Sequence, residues 1–257
     1  GASAQIGGDA QKAFETAVAI INETSDLDLP LAATAGLPNL GGAKIRIVYA
    51  DHQGDPQKGR AEAERLITQE KVAALVGSYQ SAVAATVSQS AERYGVPFLS
   101  ADNSSPTLTR RGLKFFFRAA AHDEMFSAAM FDFLDAQRKK GEKIETIALF
   151  HEDTIFGTDS ANAQLKLAAE RGYKVAADIK YRANSPSLTA EVQQLKAAYA
   201  DAPIPSSYTT DGILLVNPLA AGMTEALATL LADPGVLKVM HSASEDLVAF
   251  KHACGVL

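Results

Sequence analysis

The residues best placed to do chemistry are hydroxyls at the ends of two short apolar runs. Val72-Ala73-Ala74-Leu75-Val76 stops at Gly77 and is followed by the polar turn Ser78-Tyr79-Gln80-Ser81. Val96-Pro97-Phe98-Leu99-Ser100 is followed by Ala101-Asp102-Asn103-Ser104-Ser105-Pro106. A helix opening at Ser81, with Ala84, Val87, Ala91 and Tyr94 on the 3.6-residue period, separates the two runs. If the runs are neighbouring parallel strands, both serine turns arrive at the carboxyl edge of one sheet, where open α/β sheets bind ligands. Ser81 at a helix start also offers free backbone N–H groups that suit a carboxylate. Either serine alone reads as a cap or a turn residue; the repetition on adjacent strand ends points to a binding site.

Other chemistries lack their parts. His151-Glu152-Asp153 suggests metal or acid–base work, but the five histidines are scattered singly, and zinc sites need three or four convergent ligands. His151 therefore reads as structural or solvated. A Ser/His/Asp hydrolase would need a G-x-S-x-G elbow, and none occurs. Gly36-Leu37-Pro38-Asn39-Leu40-Gly41-Gly42 is not a phosphate loop, because no strand precedes it and no Lys-Ser/Thr follows.

The elements that must position the serines follow from periodicity. Residues 8–23 make an amphipathic helix with Ala10, Ala13, Phe14, Ala17, Ile20 and Ile21 on one face, and a Leu/Pro/Gly-rich loop runs from Thr24 to Ala43. Lys44–Ala50 reads as a strand, and Asp55 caps a helix over 56–70 that Pro56 begins. Leu113–Arg118 is a further short apolar run, and a long helix covers about 123–141. A strand from Thr146 to Phe150, a helix ending at Gly172, a strand over 174–180 and a helix over 187–199 complete the pattern. Strands alternating with helices predict parallel sheets with crossover helices, an α/β fold.

Composition narrows the function classes. The 257 residues carry a net charge of −6, and no basic run exceeds Arg138-Lys139-Lys140, which argues against nucleic acid or an anionic membrane as partner. Hydrophobic residues at 47% and charged residues at 21% are ordinary for a globular protein. Cys254 is the one cysteine, so no intrachain disulfide forms. No stretch approaches the roughly 20 apolar residues of a membrane span.

Several segments, in order, are similar to the leucine/isoleucine/valine-binding family of periplasmic substrate-binding proteins. They are GASAQIGGDAQKAFETAVAIIN, KIRIVYADHQGDPQKGRAEAERLI, VAALVGSYQSAVAATVSQSAERYGVPFLS, SPTLTRRGLKFFFR and TIALFHEDTIFGTDSANAQLKLAAERGYKV. Together they span residues 1 to about 210. The resemblance implies a two-lobed type 1 periplasmic-binding-protein-like fold of parallel sheets flanked by helices, incomplete at both ends, because family members open with an apolar strand before the turn at Gly1. Lobe one would cover 1–120 and lobe two 121–257. It implies a non-enzymatic substrate-binding protein of an ABC importer, capturing a small branched-chain amino acid or related amide in a cleft between lobes. No cofactor or metal is implied. The expected protein is a monomer that docks on a membrane permease, binds no nucleic acid and is not inserted in the membrane. It would be periplasmic after signal removal, or extracytoplasmic and lipid-anchored in a Gram-positive source. Carried over by position, Ser81 and Ser104 hold the ligand's carboxylate and amino group, and Asp102 contributes a backbone carbonyl. Asp123 falls near the cleft at the start of the lobe-crossing helix. Phe156 and Tyr208 supply aromatic lid positions. The family's acidic partner for the ammonium group should lie beyond Tyr208.

Residues of about 212–257 instead resemble an internal piece of a ribonuclease D type 3′–5′ exonuclease, with Asp246 in the HSASEDL motif matching a metal-holding acid. The other carboxylates of a two-metal site are lacking. This segment is expected to be an inactive strand–helix–strand–helix filler of lobe two.

Overall fold

A computed structural model of the chain describes residues 3–208. The chain divides into two compact units interleaved in sequence. The first holds Gly1–Tyr79, Val83–Ala101 and Leu113–Phe117, and the second holds Gln80–Ala82, Asp102–Gly112 and Arg118–Leu257.

In the first unit, helix α1 (Ala4–Asn22) forms where the periodicity places it, yet none of its residues is buried. Ala13 and Ala17 on its expected inner face are exposed. Helix α2 (Pro56–Thr68) starts as predicted, with the Asp55 carboxylate accepting the backbone N–H groups of Gln57 at 2.7 Å and Lys58 at 3.0 Å. Those bonds to the charged form hold Asp55 below the usual carboxylate range. Strands β1 (Leu75–Val76) and β2 (Phe98–Ser100) flank helix α3 (Ser81–Tyr94) in the chain. They are parallel neighbours in register, Leu75 opposite Phe98 and Val76 opposite Leu99. Strand β3 (Phe116–Arg118) completes a three-stranded sheet in the order β1-β2-β3. Its buried side is closed by Leu75, Phe98 and Phe116, the last two rings 5.4 Å apart.

One expectation fails here. Residues 44–50 form no strand. The sequence alternates as a strand should, but a ladder needs a partner backbone. Instead the Asn22 side chain occupies both polar groups of Ile45, donating to its carbonyl at 2.7 Å and accepting from its N–H at 2.8 Å.

In the second unit, helix α4 (Asp123–Lys139), strand β4 (Thr146–Glu152), helix α5 (Ile155–Arg171), strand β5 (Lys174–Tyr181) and helix α6 (Thr189–Ala198) follow the predicted order. Gly172 ends α5 in the left-handed conformation, φ +69°, which glycine reaches without a Cβ clash. A further strand, β6 (Ala202–Ser206), was not legible from periodicity. It pairs parallel to β4 and makes the sheet order β5-β4-β6. Its Pro203 and Pro205 read as strand breakers, but among the described residues β6 pairs with β4 alone, and proline is tolerated in a strand where its missing N–H faces no ladder partner. Central β4 is buried on both faces, as a parallel strand between helical layers must be. Ile147 and Leu149 pack with Phe131, Leu134 and Tyr173 on one side. Ala148 and Phe150 pack with Tyr181, Val192 and Leu195 on the other. The tail over 212–257, with Glu245 and Asp246, lies outside the described residues.

Candidate functional site

The residues singled out from sequence all fall within the second unit, which includes the turn at 102–112 and the start of α3. Ser81 is the first residue of α3 and is 1% exposed. Its hydroxyl oxygen accepts the backbone N–H of Ser105 at 3.3 Å. Ser104 is likewise buried, and its carbonyl accepts the N–H of Asp123 at 2.9 Å. The Ser104 side chain bonds to the Asp123 carboxylate. The turn between β2 and β3 is thus stitched to the starts of α3 and α4 through one pair of adjacent serines.

Two residues that the sequence did not mark hold this turn. The Ser105 hydroxyl donates to Asp159 of α5, and the Thr107 N–H points to the same carboxylate oxygen at 3.4 Å. Arg118 closes the other side, donating to the Ser105 carbonyl at 2.6 Å and to the Thr109 hydroxyl at 3.1 Å. Nothing local distinguishes Asp159 among the chain's 30 acidic residues; its partner lies 54 positions away.

Strand β4 delivers the second part. Glu152, fully buried at its end, accepts the Thr154 hydroxyl at 2.6 Å and the Gly157 N–H at 2.7 Å. A carboxylate therefore sits at the N-terminus of α5, where the helix dipole and free N–H groups favour negative charge. This arrangement fixes the first turn of α5 and with it Phe156. The Phe156 and Tyr208 rings lie 5.0 Å apart at 41°. Tyr208 comes two residues after β6, so the strand missed in the sequence is the element that positions it. Asp102 is on the same turn as Ser104; the residue as a whole is exposed, yet partial burial of its carboxyl raises it above the usual carboxylate range. His151 is 4% exposed, its ring nitrogens each 3.1 Å from the Glu152 carbonyl and the Asp178 carboxylate. That is a structural placement.

Asp123 is the electrostatic centre of the cluster. It is 1% exposed, and its Oδ2 has no hydrogen-bond partner among the described residues. Burial pushes its pKa up to about 7, reinforced by the charges of Asp159 and Glu152 and opposed by the Ser104 hydrogen bond and Arg118. Among the described residues no group of three or more His, Cys, Asp or Glu is arranged to hold a metal ion. No helix among them is long and apolar enough to cross a membrane. The cluster offers two buried hydroxyls and a desolvated carboxylate, and the same unit carries the Phe156–Tyr208 pair; these are the kinds of group that hold a small polar molecule with an apolar side.

Comparison with known proteins shows the family and the fold. The periplasmic binding protein family model matches residues 1–250, a range that takes in most of the segment resembling ribonuclease D. Leu/Ile/Val-binding protein homolog 7 of Brucella abortus is 30% identical over 187 residues, 70% of this chain and 46% of that protein. Homolog 8 of the same organism is 28% identical over 208 residues, 78% and 51% of the two chains. The chain thus spans about half the length of the curated relatives it matches.

Among solved structures, a leucine-binding protein from Thermotoga maritima aligns with a TM-score of 0.63 at 23% identity, covering 71% of this chain and 50% of that one. A branched-chain amino acid transporter substrate-binding protein from Streptococcus pneumoniae, in complex with isoleucine, gives 0.59 at 23%, covering 71% and 50%. An ABC transporter solute-binding protein from Rhodopseudomonas palustris, in complex with 3,4-dihydroxybenzoic acid, gives 0.65 at 18%, covering 83% and 64%. These structural likenesses show the fold, that of type 1 periplasmic binding proteins. With the parallel α/β architecture and the match across residues 1–250, the chain belongs to the periplasmic binding protein family.

Proposed function

We propose that this chain captures a small amino acid of the branched-chain type, or a related amide, as the substrate-binding component of an ABC importer, and catalyses no reaction. The observation that carries this reading is the pair of buried hydroxyls on adjacent turns, Ser81 and Ser104, locked by Ser105 and Asp123. Phe156 and Tyr208 supply the apolar wall for a branched side chain, and the Asp102 backbone carbonyl contributes a further acceptor. The names of the Brucella relatives and the isoleucine bound by the Streptococcus protein support the ligand class. A family of extracytoplasmic binding proteins supports a periplasmic or lipid-anchored location, a monomeric state and a membrane permease as partner. In this reading lobe one covers about 1–120 and lobe two 121–257. No nuclease activity is expected at Asp246, which lies outside the described residues.

Titration calorimetry with leucine, isoleucine and valine tests the site. Hydrogen bonds to a charged ligand group are worth about 1.5–3 kcal/mol each, so Ser81→Ala and Ser104→Ala should each weaken binding roughly ten- to hundredfold. Unchanged affinity in both variants removes these serines from the site.

A further inference from the structure

Gln164 is a polar side chain in the buried face of helix α5, and none of the residue is exposed. Its amide Nε2 donates to the Ser206 hydroxyl oxygen at 3.0 Å, across 42 positions of sequence. Its Oε1 has no partner among the described residues. Burying an amide is costly unless both ends are bonded, and a methionine would fill much the same space without that cost. A fully buried glutamine with one orphaned end is therefore not there for packing. What it supplies is a directional bond.

That bond has a definite place. Ser206 is the last residue of β6 and stands opposite His151 of β4. Two residues further on, the Tyr208 ring lies 5.0 Å from the Phe156 ring. Phe156 lies in the first turn of α5 and is buried, as Gln164 is eight residues later. At 1.5 Å per residue they are about 12 Å apart along the helix. Helix and strand exit are thus tied at two points, by a ring contact at one and by Gln164 at the other. The ring contact is apolar and without direction, so it tolerates sliding. The hydrogen bond does not.

From this geometry we infer that Gln164 is a positioning residue that sets selectivity for ligand size. By holding Ser206 it fixes where Tyr208 stands against Phe156, and so how large an apolar side chain fits beside them. The inference rests on the aromatic wall proposed above and goes beyond it by naming the buried residue that decides the wall's position.

Two measurements on the 257-residue chain test it, one of which needs no ligand. With 3-fluorotyrosine in place of the seven tyrosines, the Tyr208 fluorine signal is identified by its absence in Tyr208→Phe. Gln164→Met, similar in size but without the donor, and Ser206→Ala should each shift or broaden that signal. Ser206→Thr, which keeps the hydroxyl, should leave it near its wild-type position. The signals of the buried Tyr173 and Tyr181 should stay in place, whereas a general loosening of the core would move them too. In calorimetry, Gln164→Met should weaken L-leucine about five- to tenfold and L-alanine, whose methyl is too short to reach the wall, less than about twofold. The double variant Gln164→Met/Ser206→Ala should lose no more than the larger single loss. Thermal melting reports on folding, and Ser206→Ala, which removes one oxygen, carries the test if Gln164→Met does not fold. Leucine binding with an unmoved Tyr208 signal in both variants overturns the role of Gln164 alone, as do equal losses for leucine and alanine or additive losses in the double variant. A wild-type chain that binds neither amino acid overturns the proposed function and the selectivity that rests on it.

Discussion

The backbone of Gly157 runs so close to Glu152 that a β-carbon on Gly157 would stand 2.2 Å from the Glu152 carbonyl oxygen. The same pair is joined by the hydrogen bond from the Gly157 N–H to the Glu152 carboxylate at 2.7 Å. The turn from β4 into α5 therefore has no room for a side chain, and the obstacle is backbone, which cannot swing aside. Gly157→Ala should destabilise the second unit by about 2–3 kcal/mol, in the range of overpacked interiors. It should also weaken ligand binding through displaced Phe156. Denaturant unfolding followed by tyrosine fluorescence checks this, and an unaltered midpoint would refute it.

A second close approach lies in the first unit. A β-carbon on Gly59 of α2 would lie 2.5 Å from Cγ1 of Val83 on α3, a fully buried residue. Valine is stiff at χ1 and cannot rotate clear. Gly59→Ala should cost about 1–3 kcal/mol. Trimming the neighbour makes space, so the double variant Gly59→Ala/Val83→Ala should lose less than the sum of the single losses. Additive losses in a double-mutant cycle would show that these two residues do not share the contact.

Asp123 predicts how stability responds to pH. Its folded pKa of about 7 lies above the ordinary carboxylate value of 3.8, so the folded chain binds more protons than the unfolded chain between those values. Stability from this residue is therefore greatest below the unfolded pKa and falls as pH rises towards the folded one. At about 1.4 kcal/mol per pKa unit, the loss could reach roughly 4 kcal/mol. Asp123→Asn carries no charge to desolvate, so it should melt higher than wild type at pH 8 and close to wild type at pH 4. Asp159→Asn removes a neighbouring negative charge and should lower the Asp123 pKa, read by NMR titration of the Asp123 carboxyl carbon. A variant Asp123→Asn that is less stable at pH 8 would contradict this account.

Read alone, the chain's local chemistry determined its helices, the Asp55 and Gly172 caps and the alternation of strands and helices. Asp55 before Pro56 caps α2 because the bonding partners are two and three residues away, and Gly172 ends α5 because only local backbone sterics decide it. The parallel pairing of β1 and β2 followed from the helix between them. The serine turns after each strand placed Ser81 at a helix start and Ser104 in the turn after β2, because both positions follow from order along the chain.

Contacts between distant residues were decided only by the tertiary structure. Whether 44–50 becomes a strand depends on a partner backbone, and the Asn22 side chain takes the polar groups of Ile45 instead. Pro203 and Pro205 hid β6 because two prolines argue locally against a strand, and the pairing with β4 that makes one spans more than fifty residues. Asp159 and Arg118 were invisible for the same reason: a hydrogen bond to Ser105 leaves no periodic trace in the sequence around either residue. The raised pKa of Asp123 also belongs to the fold, because desolvation arises only when α4, α5 and the 102–112 turn enclose one carboxylate and leave one of its oxygens without a donor.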